Sequence, residues 1–151
     1  MKIAQEVLDF HGLSSEEGFL AFMYQLKKET LAQVLEMSFT EISFDRLVMT
    51  MPVGPKTHQP AGILHGGASV ALAETAASVA TAIQIDLTKF NPVGLEINAN
   101  HLRSKKDGIV TATAIPLHKG RSTMVWDIKI TDEQERLVCV SRCTMSILPK
   151  E

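Results

Sequence analysis

From Thr57 to Thr88 the chain has neither lysine nor arginine, although a glutamate sits in the middle of that stretch. Other scarcities narrow what the molecule can be. There are only two cysteines, Cys139 and Cys143, four apart in a segment read as a strand. That is too far along a strand to bridge, and the spacing is not a zinc pattern. Buried thiols in a reducing cytoplasm are expected, sharing a face with Leu137, Met145 and Ile147. Basic residues are not in excess: the net charge of −2 argues against a nucleic-acid partner, which would need surplus Lys and Arg. No run is rich enough in Leu, Ile and Phe to suit a bilayer, and the N-terminus lacks the form of a signal peptide. His11, His58, His65, His101 and His118 are scattered with no ligand-spaced pair, so no metal site is expected. There is no G-x-S-x-G, and "HGGAS" is not a phosphate-binding loop.

What is present suffices for one domain over residues 1–151 with a real core, since 45% of residues are hydrophobic. The first 35 residues read as a helical extension. "SSEE" has the form of a capping box, Ser14 with Glu17, and Phe19, Phe22, Met23 and Leu26 follow at helical spacing. A second short helix is expected around 28–35. The segment "EMSFTEISFDRLVMTMPV" then splits at Ser43–Arg46 into a hairpin, and "GPKTHQPAG" is a loop. Residues 66–85 form a helix apolar nearly all round. Beyond residue 90 long strands alternate with turns. In the first of them Val93, Leu95, Ile97 and Ala99 alternate with Gly94, Glu96, Asn98 and Asn100, and 93–104 with 109–118 reads as a hairpin. An apolar helix needs cover on most sides, which about five antiparallel strands curled around it would supply. The fold class expected is therefore α+β, with the core at 36–148.

The chemistry concentrates at the two ends of "HGGASVALAE". Gly66 and Gly67 open the helix with no Ser, Thr, Asp or Asn immediately before them. Either His65 or water caps this end, or its N–H groups and positive dipole are left for an acceptor oxygen developing negative charge. Glu74 finds a distant arginine, reaches solvent, or serves chemistry. A carboxylate with N–H donors for an oxyanion is a hydrolytic pair. Eight residues of helix separate the two by about 12 Å, so both acting on one carbonyl requires the Glu74 of one subunit to face the Gly66 of another. That predicts a symmetric dimer with two shared sites.

"HQPAGILHGGASVALAE" resembles the signature of the hotdog-fold acyl-CoA thioesterases, in the branch of the 4-hydroxybenzoyl-CoA, 1,4-dihydroxy-2-naphthoyl-CoA and phenylacetate-type enzymes. "VGLEINANHLRS" and "PLHKGRSTMVWDIKI" are similar to later blocks of that family, and the match runs over about 37–148. The resemblance implies a hotdog fold, a curved sheet around one long helix, and hydrolysis of an aromatic or medium-chain acyl-CoA. It implies that Glu74 attacks the thioester or activates water and that the Gly66 N–H polarises the carbonyl. His65 would lie near the thioester, Gln59 would place water or carbonyl, and Ser78 would line the pocket. Val93, Asn100, His101, Arg103, His118, Gly120, Arg121 and Ser122 would meet the substrate or its coenzyme A. Arg103, Lys105, Lys106, Lys119 and Arg121 supply positive charge, with Lys105 and Lys106 read as solvated turn residues. No cofactor is implied, coenzyme A being part of the substrate, and the oligomer expected is a dimer or a tetramer of two dimers. The rivals are a non-catalytic acyl-CoA-binding protein and a dehydratase of the same fold.

Overall fold

The computed structural model describes residues 1–24 and 30–150, the side chains of 20 and 22–24 apart. A two-residue strand β1 (Lys2–Ile3) opens the chain, followed by helices α1 (Gln5–Phe10), α2 (Glu16–Tyr24) and α3 (Leu31–Val34). Strands β2 (Ser38–Ile42) and β3 (Leu47–Pro52) precede the long helix α4 (Gly66–Ala82). Four long strands complete the fold: β4 (Phe90–His101), β5 (Ile109–Lys119), β6 (Thr123–Thr131) and β7 (Leu137–Pro149). All seven form one sheet in the order β1-β2-β3-β5-β6-β7-β4, antiparallel except where β1 joins β2. The count exceeds the expected five: β2 and β3 precede α4, four strands follow it, and the extension contributes β1.

The extension is thus not wholly helical. Val7, Leu8 and Phe19 are buried in the main core, so it is packed against the sheet and helix. Its cap also differs from the predicted one: the Gly18 N–H donates to Oγ of Ser15 at 3.0 Å, which makes Ser15 the residue that starts α2. The predicted apolar stripe is described at Phe19 alone in its side chains. Leu26, and the 28–29 start expected for the second helix, lie outside the described residues. The β2–β3 hairpin turns where predicted, with Ser43 N–H donating to the Arg46 carbonyl at 2.8 Å.

α4 lies against the concave side of the sheet through Ala68, Ser69, Leu72, Ala73, Ala76, Ala77, Ala80 and Thr81, all buried. Such small side chains let the strands approach closely, and Trp126 of β6 fills much of the space left, donating from Nε1 to Thr81 Oγ1 at 2.9 Å. Cys139 and Cys143 are buried and unbridged on the same inner face of β7 as Met145 and Ile147.

Two expectations about the strands are corrected. Strands β4 and β5 are not a hairpin: β4 pairs only with β7, while β5 lies between β3 and β6. Neighbours in sequence are separated here because the chain crosses the end of the sheet between residues 102 and 108. The alternation in β4 is also broken. The pairing with β7 slips between Gly94 and Glu96, so Leu95 is an extra, bulged residue and 65% exposed. One inserted residue reverses the parity of a strand. Ile97 pairs with buried Cys143 and faces α4, but so does Gly94, opposite buried Met145, while Val93 falls opposite Ser146 on the outer face.

Candidate active site

Two loops meet at the start of α4. In the first, residues 57–65, the amide N–H of Gln59 donates to the Ile63 carbonyl, and His65 N–H to the Thr57 carbonyl. In the second, residues 102–108, the carbonyls of Lys105 and Lys106 receive Leu64 N–H at 2.8 Å and a ring nitrogen of His58 at 2.7 Å. Between them lies a cavity of about 340 Å³ lined by Gln59, Gly66, Ser69, His101, Leu102 and Arg103, among others. Of the residues predicted from sequence, four therefore share one wall: Gln59, Gly66, His101 and Arg103.

Local chemistry orients the groups at the start of α4. His65 is the N-cap of α4, and its Nδ1 accepts from Gly67 N–H at 2.8 Å. That bond requires Nδ1 without a proton, so a neutral ring carries its hydrogen on Nε2, and His65 is exposed. The Gly66 N–H has no partner among the described residues, being the first of the helix. A Cβ on Gly66 would meet His101 Nε2 at 2.6 Å, so glycine is needed for the imidazole to lie against the helix end. Gln59 Oε1 accepts from Ala61 N–H at 2.6 Å, which leaves its amide nitrogen as the free donor.

Glu74 stands two turns further along α4, half-buried, and has no hydrogen-bond or ion-pair partner among the described residues. The carboxylate sits over Gly94 of β4. One turn on, Ser78 Oγ is 3.8 Å from Met145 Sδ. Glu74 and the Gly66 end therefore lie apart in one chain, as the helix spacing requires.

The comparisons with known proteins speak to this arrangement. Residues 61–139, which include α4 and most of the long strands, match the thioesterase superfamily. The chain belongs to that family. The 1,4-dihydroxy-2-naphthoyl-CoA hydrolase of Escherichia coli is 50% identical over 147 residues, 97% of this chain and 96% of its own length. Its namesake in Listeria monocytogenes is 49% identical over 120 residues, 80% of this chain and 97% of that one. The crystal structure of a mutant thioesterase from Pseudomonas aeruginosa superposes with a TM-score of 0.82 at 39% identity, covering 91% of this chain and 96% of that one.

In this hotdog thioesterase six further predicted residues lie away from the cavity. Asn100 and Val93 are exposed on the outer face of β4, opposite Val140 and Ser146. His118, Gly120, Arg121 and Ser122 form the end of β5 and the turn into β6, with the His118 ring folded over Gly120. Pairing runs Lys119–Met124–Met145–Gly94 across four strands, so this turn lies at Glu74's end of the sheet and Arg103 at the other. The positive charge of Arg103 and that of Arg121 thus stand at opposite ends of the sheet, although β4 and β5 are not neighbours.

Ion pairing divides the basic residues. Lys119 is held by Asp45 at 2.7 Å, and Lys105, only 12% exposed, by Glu133 at 2.6 Å. Arg103 and Arg121 form no ion pair among the described residues and remain available to an anion. Sequence reasoning missed Ser69 and Leu102 in the cavity. Ser69 carries a usable signal, lying three residues after Gly66 on the same helix face. It also missed Gly94, which the assumed alternation turned outward. Among the described residues, no helix is long and apolar enough to cross a membrane.

Proposed function

We propose that this thioesterase hydrolyses an acyl-CoA to the carboxylic acid and free coenzyme A in sites shared between two subunits. The observation that carries the reading is a pair at the ends of one helix segment, each without a partner among the described residues: a Gly66 N–H at a cavity and a Glu74 carboxylate with no cation. In each site the Gly66 N–H of one subunit polarises the thioester carbonyl, and Glu74 of the other attacks it or takes a proton from the attacking water. Either route expels the coenzyme A thiolate, which then takes up a proton, and adds one water overall. His65 Nε2–H and the Gln59 amide N–H would serve as further donors to the thioester oxygen; their other polar atoms, His65 Nδ1 and Gln59 Oε1, accept from Gly67 N–H and Ala61 N–H. Arg103 and Arg121 are the available partners for the phosphates of coenzyme A.

The dimer is supported by the position of β4, a twelve-residue strand at the edge of the sheet. Its unpaired main-chain groups are what a second β4 would satisfy. An aromatic acyl group is the leading choice, since two close relatives carry the name of an aryl-CoA hydrolase.

Free-thiol release from benzoyl-CoA and octanoyl-CoA tests this. Replacing Glu74 by Gln should lower kcat about 10²–10⁴-fold with binding retained. Equal, slow release by wild type and variant, with both binding acyl-CoA, would leave a binding protein. Loss of water from a 3-hydroxyacyl thioester without thiol release would leave a dehydratase.

A further inference from the structure

Glu74 and Gly94 contend for one volume. A Cβ built on Gly94 would overlap Oε1 of Glu74 and stand 3.4 Å from its Cδ. Glycine is not there for backbone freedom, because Gly94 is not among the residues with positive φ. Nor does a strand favour it, since glycine weakens strands relative to residues with side chains. Space is the remaining reason. The bulge at Leu95 creates the need, for without it position 94 would face outward with Asn98 and Asn100 and no side chain there would point at α4.

We propose that Gly94 is the positioning residue of Glu74: the bulge turns a position without a side chain toward α4, and that gap is the seat of the carboxylate. The inference rests on the reading of Glu74 as the catalytic group. The floor of the seat is apolar and sulfur-rich, with Met145 opposite Gly94 and Cys143 two residues before it on the same inner face of β7. Burial first, then the charges of Glu74 and Glu96, push the Cys143 thiol up to about 12. A glutamate side chain has three torsions, and among the described residues no hydrogen bond fixes those of Glu74. The wall at Gly94 takes that role, admitting the carboxylate where any larger residue would swing it aside.

The test is Gly94→Ala, alone and combined with changes at Glu74, read by thiol release and thermal unfolding. The added methyl meets the far end of a flexible chain, so the variant should fold with an unchanged or higher Tm. It should keep KM within about two-fold and lose at least ten-fold in kcat. In a Glu74→Gln background, where no carboxylate remains to be aimed, the same methyl should leave the residual rate unaltered. Wild-type kcat in Gly94→Ala, or a loss of equal size in both backgrounds, overturns the proposal. If Gly94→Ala lowers Tm, then Gly94→Ala with Glu74→Asp, whose shorter side chain draws back from the methyl, should restore it. Failure to restore it overturns the shared volume. The two readings fail separately: full activity in Glu74→Gln removes the catalytic role, whereas an inactive Glu74→Gln beside an unimpaired Gly94→Ala removes only the positioning role.

Discussion

Glu133 ties the rim of the cavity to the turn between β6 and β7. One carboxylate oxygen receives Lys105 Nζ at 2.6 Å and the other receives Ile109 N–H at 2.7 Å. Gly108, at a φ of +81°, leaves the room that the carboxylate occupies. The Lys105 hydrogen bond, then the Ile109 N–H, hold the Glu133 carboxyl down at about 2. A carboxyl lowered by folding adds stability that is complete above its ordinary range and is lost as pH falls through its folded value. Urea unfolding at pH 6, 4.5 and 3 should therefore show Glu133→Gln losing less stability on acidification than wild type, the curves converging toward pH 2. Parallel curves would mean that the clamp contributes nothing. Legibility in the sequence was uneven at this scale. Glu74 and Gly66 stand out because a lone carboxylate and paired glycines are rare in a small apolar helix. The Ser15 cap and the inward Gly94 did not, because each differs from the alternative by one residue of register. A pattern read without its partner strand has no reference to fix that register.

α4 was legible as an element because composition alone demands cover for a helix of Ala, Ser, Val and Thr. Its buried face explains why those residues are small: Ala76, Ala77 and Ala80 are fully buried under the sheet. Ala76→Leu should cost about 1–3 kcal/mol through overpacking. For a chain of this length that is a fall in Tm of several degrees, measurable by calorimetry. An unchanged Tm would show slack between helix and sheet. The strands were legible as strands but not as neighbours. Alternation in 93–100 and 109–118 marks β structure without saying that β7 and β6 intervene. The bulge at Leu95 carries no signal beyond the adjacent glycine.

Across the whole molecule, the proposed mechanism makes activity a property of pairs of chains, because Gly66 and Glu74 lie too far apart along one helix to act on the same carbonyl. Glu74→Ala should be inactive, as should a Gln59→Ala/His65→Ala double variant, because each spoils one half of every site. Mixed and allowed to exchange subunits, the two should regain activity, since a hybrid dimer holds one intact site. Subunit exchange without recovery would place both halves within one chain. The sheet's overall class was legible from the order of its elements, while its edge was not, because which strand stays unpaired depends on crossings that no local pattern records. The joining of the 57–65 and 102–108 loops has a further consequence for divergence. One of their two bonds is main chain to main chain and the other runs from the His58 ring to a main-chain carbonyl, so the side chains of residues 102–104 take no part in joining the loops. Positions such as Leu102, Arg103 and Ser104 can then be exchanged over evolutionary time with little cost to folding. Substrate preference can drift among descendants of such a chain while the frame that presents the thioester is inherited intact.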